Sequence, residues 1–166
     1  MLVRTVDGMR LSLVEVVLLA LAAAVVVAVL PRCSGGPARP AERASWSLTP
    51  GVLNPDVTQA TIRTTICRPG WTRTVRPPVS YTNELKRRGL QQYGLSGQLS
   101  GYQEDHLISL ELGGNPNDAR NLWPEPYPRA AAVDQIENEL NHRVCAGSLT
   151  LAQAQREESA LKHRDG

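Results

Sequence analysis

The sequence predicts an α+β domain behind an N-terminal export or anchoring segment. Three observations carry this reading: a long apolar run at the start, short strand-like segments in the middle, and two amphipathic helical stretches at the end. The chain has 166 residues, enough for one ordinary domain beside such a segment.

From Leu13 to Leu30 all 18 residues except Glu15 are apolar, and Arg4 and Arg10 stand before them. A positive start followed by a run of this length predicts a signal-anchor, with a cleaved signal peptide as the alternative. Residues 31–44, from Pro31 through Gly35, Gly36 and Pro40, hold Pro, Gly and charge with almost no large apolar side chain and read as a linker. The folded domain is expected over residues 45–166. Cys67 and Cys145 fall inside it, while Cys33 stands alone in the linker. Two domain cysteines behind an export signal predict a Cys67–Cys145 disulfide, and with it a membrane-anchored extracytoplasmic or secreted domain.

Thr61–Cys67 is rich in β-branched residues and predicts a short strand. A helix is expected over Tyr81–Gln92, started by Ser80 or Thr82 after Pro77-Pro78 and ended at Gly94. Ser100–Leu110 reads as a strand, a turn or kink, and a second strand, and Gly113–Asp118 as a loop by composition. Asn121-Leu122-Trp123 returns as a strand. A helix then runs from Arg129 to Val144 and closes at Gly147, with Val133, Ile136, Leu140 and Val144 on its inward stripe. Thr150 and Gln153 form a capping box that opens the last helix.

The formal net charge of +2 hides an asymmetry. From Asp56 to Gln103 seven basic and two acidic residues leave +5; from Glu104 to Gly166 six basic and eleven acidic residues leave −5. A basic half beside an acidic, His-containing half suits a metal-dependent enzyme acting on phosphodiesters, although a solvated helix face explains Lys86-Arg87-Arg88 equally well. Lys86, Arg87, Arg88 and Arg120 are the candidate phosphate contacts.

The most informative string is Glu104-Asp105-His106-Leu107-Ile108-Ser109-Leu110-Glu111-Leu112-Gly113-Gly114, followed by Asn121-Leu122-Trp123-Pro124. An acid beside a histidine offers two functions from one strand end: Asp105 can hold a divalent cation, and His106, across the pleat, can take a proton from water. Two glycines let the chain loop back, and Asn121 can bond backbone across that loop. Taken singly, Asp105 reads as a turn cap and His106 as a packed, hydrogen-bonded residue. Trp71 and Trp123 read as core, His163 as solvated, and Glu111 and Glu125 as surface acids either of which could reach the site.

Together these residues resemble the HNH, or ββα-metal, nuclease family. That resemblance implies a hairpin-plus-helix site in which Asp105 binds metal, His106 is the general base, Asn121 braces the loop and a residue of the following helix completes the metal site. The sequence departs from the family at that last position, where Tyr127-Pro128-Arg129-Ala130-Ala131 contains no His. Helical spacing leaves Asp134 or Glu137 as the substitute and turns His142 outward. The implied function is metal-dependent hydrolysis of DNA or RNA outside the cytoplasm, using Mg²⁺ or Mn²⁺ rather than Zn²⁺ because the ligands are oxygens, and no organic cofactor. Two other readings stand beside it: an exported binding module that keeps the scaffold without catalysis, and a cell-envelope hydrolase of another substrate.

Overall fold

The computed structural model describes residues 43–127 and 129–164. The expected N-terminal segment and all but the end of the linker lie outside them. Among the described residues no helix is long and apolar enough to cross a membrane. The domain is α+β, a two-stranded antiparallel hairpin packed with helices. In chain order these are α1 (Trp71–Val75), α2 (Val79–Gln92), β1 (Tyr102–His106), β2 (Leu122–Pro126), α3 (Arg129–Ala146) and α4 (Leu151–Arg164).

Residues Thr61–Cys67 are consecutive turns, not the expected strand. The threonine hydroxyls satisfy the local backbone: Thr61 Oγ1 accepts from Thr58 N at 2.8 Å, and Thr64 and Thr65 both donate to the Thr61 carbonyl. Such bonds compete with a sheet ladder. The two buried residues, Ile62 and Ile66, are also four apart, a helical rather than alternating spacing. Helix α2 starts at Val79 instead of Ser80 or Thr82, because the Pro78 carbonyl already accepts from Tyr81 N and Thr82 N. It ends as expected near Gly94, whose positive φ of 62° closes the turn.

Ser100–Leu110 yields one strand instead of two. Only Tyr102–His106 is extended, and its partner is Leu122–Pro126, in a register that sets Asp105 opposite Trp123 and His106 opposite Leu122. Leu107, Ile108, Leu110 and Leu112 are all buried, without the alternation a half-exposed strand shows. Pro124 and Pro126 are tolerated in β2 because a two-stranded ribbon has free edges.

The larger core cluster joins Val57, Ile62, Ile66, Ile108 and Leu112 to Leu140 and Val144 of α3 and Leu151 and Ala154 of α4, with Trp71 packed against it. A second gathers Ala44, Leu107 and Trp123, with Tyr93 alongside. The inward stripe of α3 is Val133, Glu137, Leu140 and Val144; Ile136, expected on it, is exposed. The helix therefore buries a carboxylate where an apolar side chain was expected. The capping box at α4 forms, with Thr150 N donating to Gln153 Oε1 at 3.1 Å and Gln153 N to Thr150 Oγ1 at 3.3 Å.

Cys67 and Cys145 are joined in a disulfide spanning 78 residues, which ties the turn segment to the end of α3. Loop-closure entropy for a span of this size gives about 4 kcal/mol of stabilisation. Replacing Cys67 and Cys145 by Ser is expected to lower the unfolding free energy by about that amount in urea titrations. A loss near zero would mean that the cross-link constrains little of the unfolded chain.

Candidate active site

The site grows from the loop between the two strands. Asn121, fully buried at the mouth of β2, bonds across that loop in both senses: its Oδ1 accepts from Ile108 N at 3.0 Å, and its Nδ2 donates to the carbonyls of Ile108 and Asn115, each at 3.0 Å. Leu107 N adds a bond to the Asn121 carbonyl at 2.8 Å. The chain turns at Gly113, with φ 77°, and passes so close to itself at Gly114 that a Cβ there would lie 1.7 Å from the Ile108 oxygen. From α4, the Glu158 carboxylate accepts Ser109 N on both oxygens at 3.0 and 3.1 Å, and Gln155 donates to the Leu112 carbonyl at 2.9 Å. Asn141 of α3 donates to the Glu111 carbonyl at 2.8 Å. Each backbone group of this buried loop that meets a side chain is thereby satisfied, as burial demands.

On β1 the pleat sends Asp105 and His106 to opposite sides. His106 is buried, and its Nε2 lies 3.1 Å from the Pro116 carbonyl oxygen. A carbonyl only accepts, so Nε2 carries the proton of the neutral ring and Nδ1 keeps its lone pair. Burial holds the imidazole below its ordinary pKa, partly offset by the Pro116 bond and the Asp105 charge.

Asp105, Asp134 and Glu137 form a carboxylate group that could hold a metal ion, with one oxygen from each lying within 4.8 Å of the others. The two helix residues come from the same exposed-to-buried edge of α3, Asp134 in solvent and Glu137 nearly covered. Three carboxylate oxygens match the preference of hard divalent cations. Two of these carboxylates already face a cation. Lys162 of α4, fully buried, donates to Asp105 Oδ2 at 2.7 Å, Glu137 Oε1 at 2.5 Å and the His106 carbonyl at 2.5 Å, and Glu158 Oε1 lies 3.5 Å away. Burial opposes the ammonium, but the charges of Asp105, Glu137 and Glu158 overcome it and hold the Lys162 pKa well above the usual value. Burial also opposes ionisation of Asp105, and Lys162 overrides it, leaving that carboxyl below its usual range.

Further acids crowd this centre. Glu125 of β2, expected on the surface, is fully buried, and neither of its carboxyl oxygens has a hydrogen-bond partner. Burial, reinforced by the neighbouring Asp105 charge, raises it to about 8. Burial likewise raises Glu104 to about 8 and Glu158 to about 7, and lifts Glu137 well above the usual value.

The candidate phosphate contacts are placed less favourably. Lys86 donates to the Tyr102 carbonyl at 2.9 Å, bracing β1. Arg87 and Arg88 are exposed and pair with Glu84, and Arg120 is exposed and pairs with Asp118 at 2.7 Å. Arg76, exposed at the end of α1, acts electrostatically on both His106 and Glu111. His142 is exposed, as its helical position required. His163, expected in solvent, is buried: its ring stacks on Trp46 with centroids 3.5 Å apart, and its Nε2 lies 3.1 Å from the Thr49 carbonyl. Sequence reasoning missed Arg76, Glu158 and Lys162, and named Glu125 only as a surface acid able to reach the site. Glu158 and Lys162 share one face of α4 at a spacing of four, a signal that looks the same for a solvated ion pair.

The buried acids predict how stability changes with pH. Between 4.5, the ordinary glutamate value, and about 8, folded Glu104 and Glu125 keep protons that the unfolded chain has released, and Glu158 does so up to about 7. Stability therefore falls as pH rises through this window and levels off above it, the three acids outweighing His106, whose lowered value acts the other way below 6.5; Asp105, also shifted down, loses its contribution only in acid. Urea midpoints should decline from pH 5 to pH 8, and Glu125→Gln should flatten the decline. Midpoints that climb over the same range would contradict the protonated cluster.

Comparison of the chain with protein-family models, with curated proteins and with solved structures finds no match.

Proposed function

We propose that this domain hydrolyses phosphodiester bonds of DNA or RNA outside the cytoplasm, through a hairpin-plus-helix site of the ββα-metal kind. The observation that carries the reading is the bonding of His106. One ring nitrogen is committed to the Pro116 carbonyl, which leaves Nδ1 as a base without a protein partner among the described residues. The neighbouring residue, Asp105, belongs to a carboxylate trio.

In this reading His106 Nδ1 removes a proton from the attacking water. Asn121 keeps the loop closed, so the Pro116 carbonyl stays where it fixes the tautomer. Asp105, Asp134 and Glu137 would hold a divalent cation, Mg²⁺ or Mn²⁺ by ligand type, which when bound supplies positive charge to the phosphoryl and leaving oxygens. Arg76, with Arg87, Arg88 and Arg120 at the surface, offers positive charge to the flanking phosphates. The disulfide supports an oxidising compartment, and the N-terminal apolar segment supplies the route to it, as membrane anchor or cleaved signal.

One observation favours a second reading. Because Lys162 already contacts two of the three carboxylates, the same cluster also suits a purely structural ion pair inside a non-catalytic binding module.

Cleavage of plasmid DNA and single-stranded RNA by the full chain in detergent micelles, with Mg²⁺, Mn²⁺ or Zn²⁺, separates the two. The expected result is cleavage that stops with EDTA, falls by roughly 10²–10⁴-fold in His106→Ala and is lost in Asp105→Ala. No cleavage in any metal, from protein shown to be folded, would leave the binding module as the answer.

A further inference from the structure

We propose that Lys162 is an internal competitor for the divalent cation: its ammonium holds the metal ligands Asp105 and Glu137 together when the metal is absent, and releases them when it binds. The inference rests on the metal-site reading above. All three ammonium hydrogens are committed, to Asp105 Oδ2, Glu137 Oε1 and the His106 carbonyl, at 2.5–2.7 Å. A divalent cation on the same two carboxylates would lie within a few ångströms of this buried positive charge, where little water screens the repulsion.

The surroundings supply more carboxyl groups than the ammonium engages. Besides Asp105 and Glu137 it contains Glu158, 3.5 Å from Lys162 Nζ, and Glu125, a fully buried carboxyl with both oxygens unpartnered. One ammonium thus lies among four acids. Glu125, buried beside Asp105 with neither oxygen within hydrogen-bond distance of a donor, is an independent sign that this pocket holds polar oxygens that Lys162 does not serve, since buried polar groups are ordinarily paired.

The fold also provides a place for the displaced ammonium. Glu158 lies one turn back on the same helix and is outside the Asp105–Asp134–Glu137 trio, so Lys162 can pair with it more closely after giving up the other two. The helix end itself is held: Ala44 N donates to the Lys162 carbonyl at 3.1 Å, and His163 bonds the Thr49 carbonyl. The exchange is therefore a side-chain swing on a fixed helix. The divalent ion replaces the lysine as the charge that joins β1 to α3.

Two measurements on the full chain in detergent micelles test this. In the first, Mn²⁺ binding is followed by the EPR signal of the free ion. Lys162→Met is expected to bind at least tenfold more tightly than the native chain, and Asp105→Asn to lose binding. The second uses the fact that the chain has two lysines, Lys86 and Lys162. With lysine Nζ labelled by ¹⁵N and diamagnetic Mg²⁺ as the metal, the Lys162 ammonium protons, held by three hydrogen bonds in the free protein, should exchange with water faster at saturating Mg²⁺, while those of Lys86 are unchanged. Native-like or weaker Mn²⁺ binding by Lys162→Met, or Lys162 exchange unchanged at saturating Mg²⁺, overturns the competition and leaves the metal site standing. Should Lys162→Met fail to fold, the ammonium exchange of the native chain decides alone. Absence of Mn²⁺ binding by both folded proteins overturns the metal reading itself, and the competition with it.

Discussion

A lysine ammonium shut away from water has to be matched by nearby acceptors, because the desolvation of an unpaired charge would cost several kcal/mol. Lys162 meets that constraint with groups from three elements: Asp105 and the His106 carbonyl on β1, Glu137 on α3 and Glu158 on its own helix. The hairpin, the long helix and the C-terminal helix are thus pinned to one another at a single charged point. Leu140, Val144, Leu151 and Ala154 then bury the apolar faces that this arrangement brings together. Hydrophobic packing favours compactness in general, whereas the ammonium with its directional partners specifies how β1, α3 and α4 meet.

The same constraint shapes the loop beyond β1. Glu158 serves two roles, lying beside Lys162 and accepting Ser109 N on both oxygens. Asn121 closes the loop from the other side, and Gly114 allows an approach no side chain would permit. As a result the Pro116 carbonyl sits where it meets His106 Nε2. The base, its tautomer-fixing partner and the acidic cluster are all held by backbone that is itself bonded to side chains. That is the rigidity a reacting group needs.

Several features were legible in the sequence because they are local. The α2 span follows from its Pro-Pro start and Gly94 stop, α4 from its capping box, and the Gly113–Asp118 loop from composition. Adjacent Asp105 and His106 at a strand end, and Asn121 beyond a double-glycine loop, stood out for the same reason. The Thr61–Cys67 strand failed because β-branched composition was weighed above the four-residue spacing of Ile62 and Ile66. The second strand in Ser100–Leu110 failed because a run of buried leucines can be pinned as a loop when a distant asparagine and glutamate satisfy its backbone. On α3, apolarity put Ile136 inside and left Glu137 at the border; the buried lysine draws Glu137 in instead.

By itself the sequence determined the α+β class, the cysteine pair, the Gly94 stop of α2, the capping box of α4 and the Asp105-His106 pair, all of which depend on neighbours in the chain or on residue chemistry alone. Tertiary structure decided which acids are buried, that Glu125, Glu158 and Lys162 share one centre with Asp105, and that Lys86 braces a strand. The reason is that burial and pairing are properties of elements far apart in sequence: Lys162 is 57 residues from Asp105 and 25 from Glu137. A lysine four residues from a glutamate reads as surface until the fold removes the water around it.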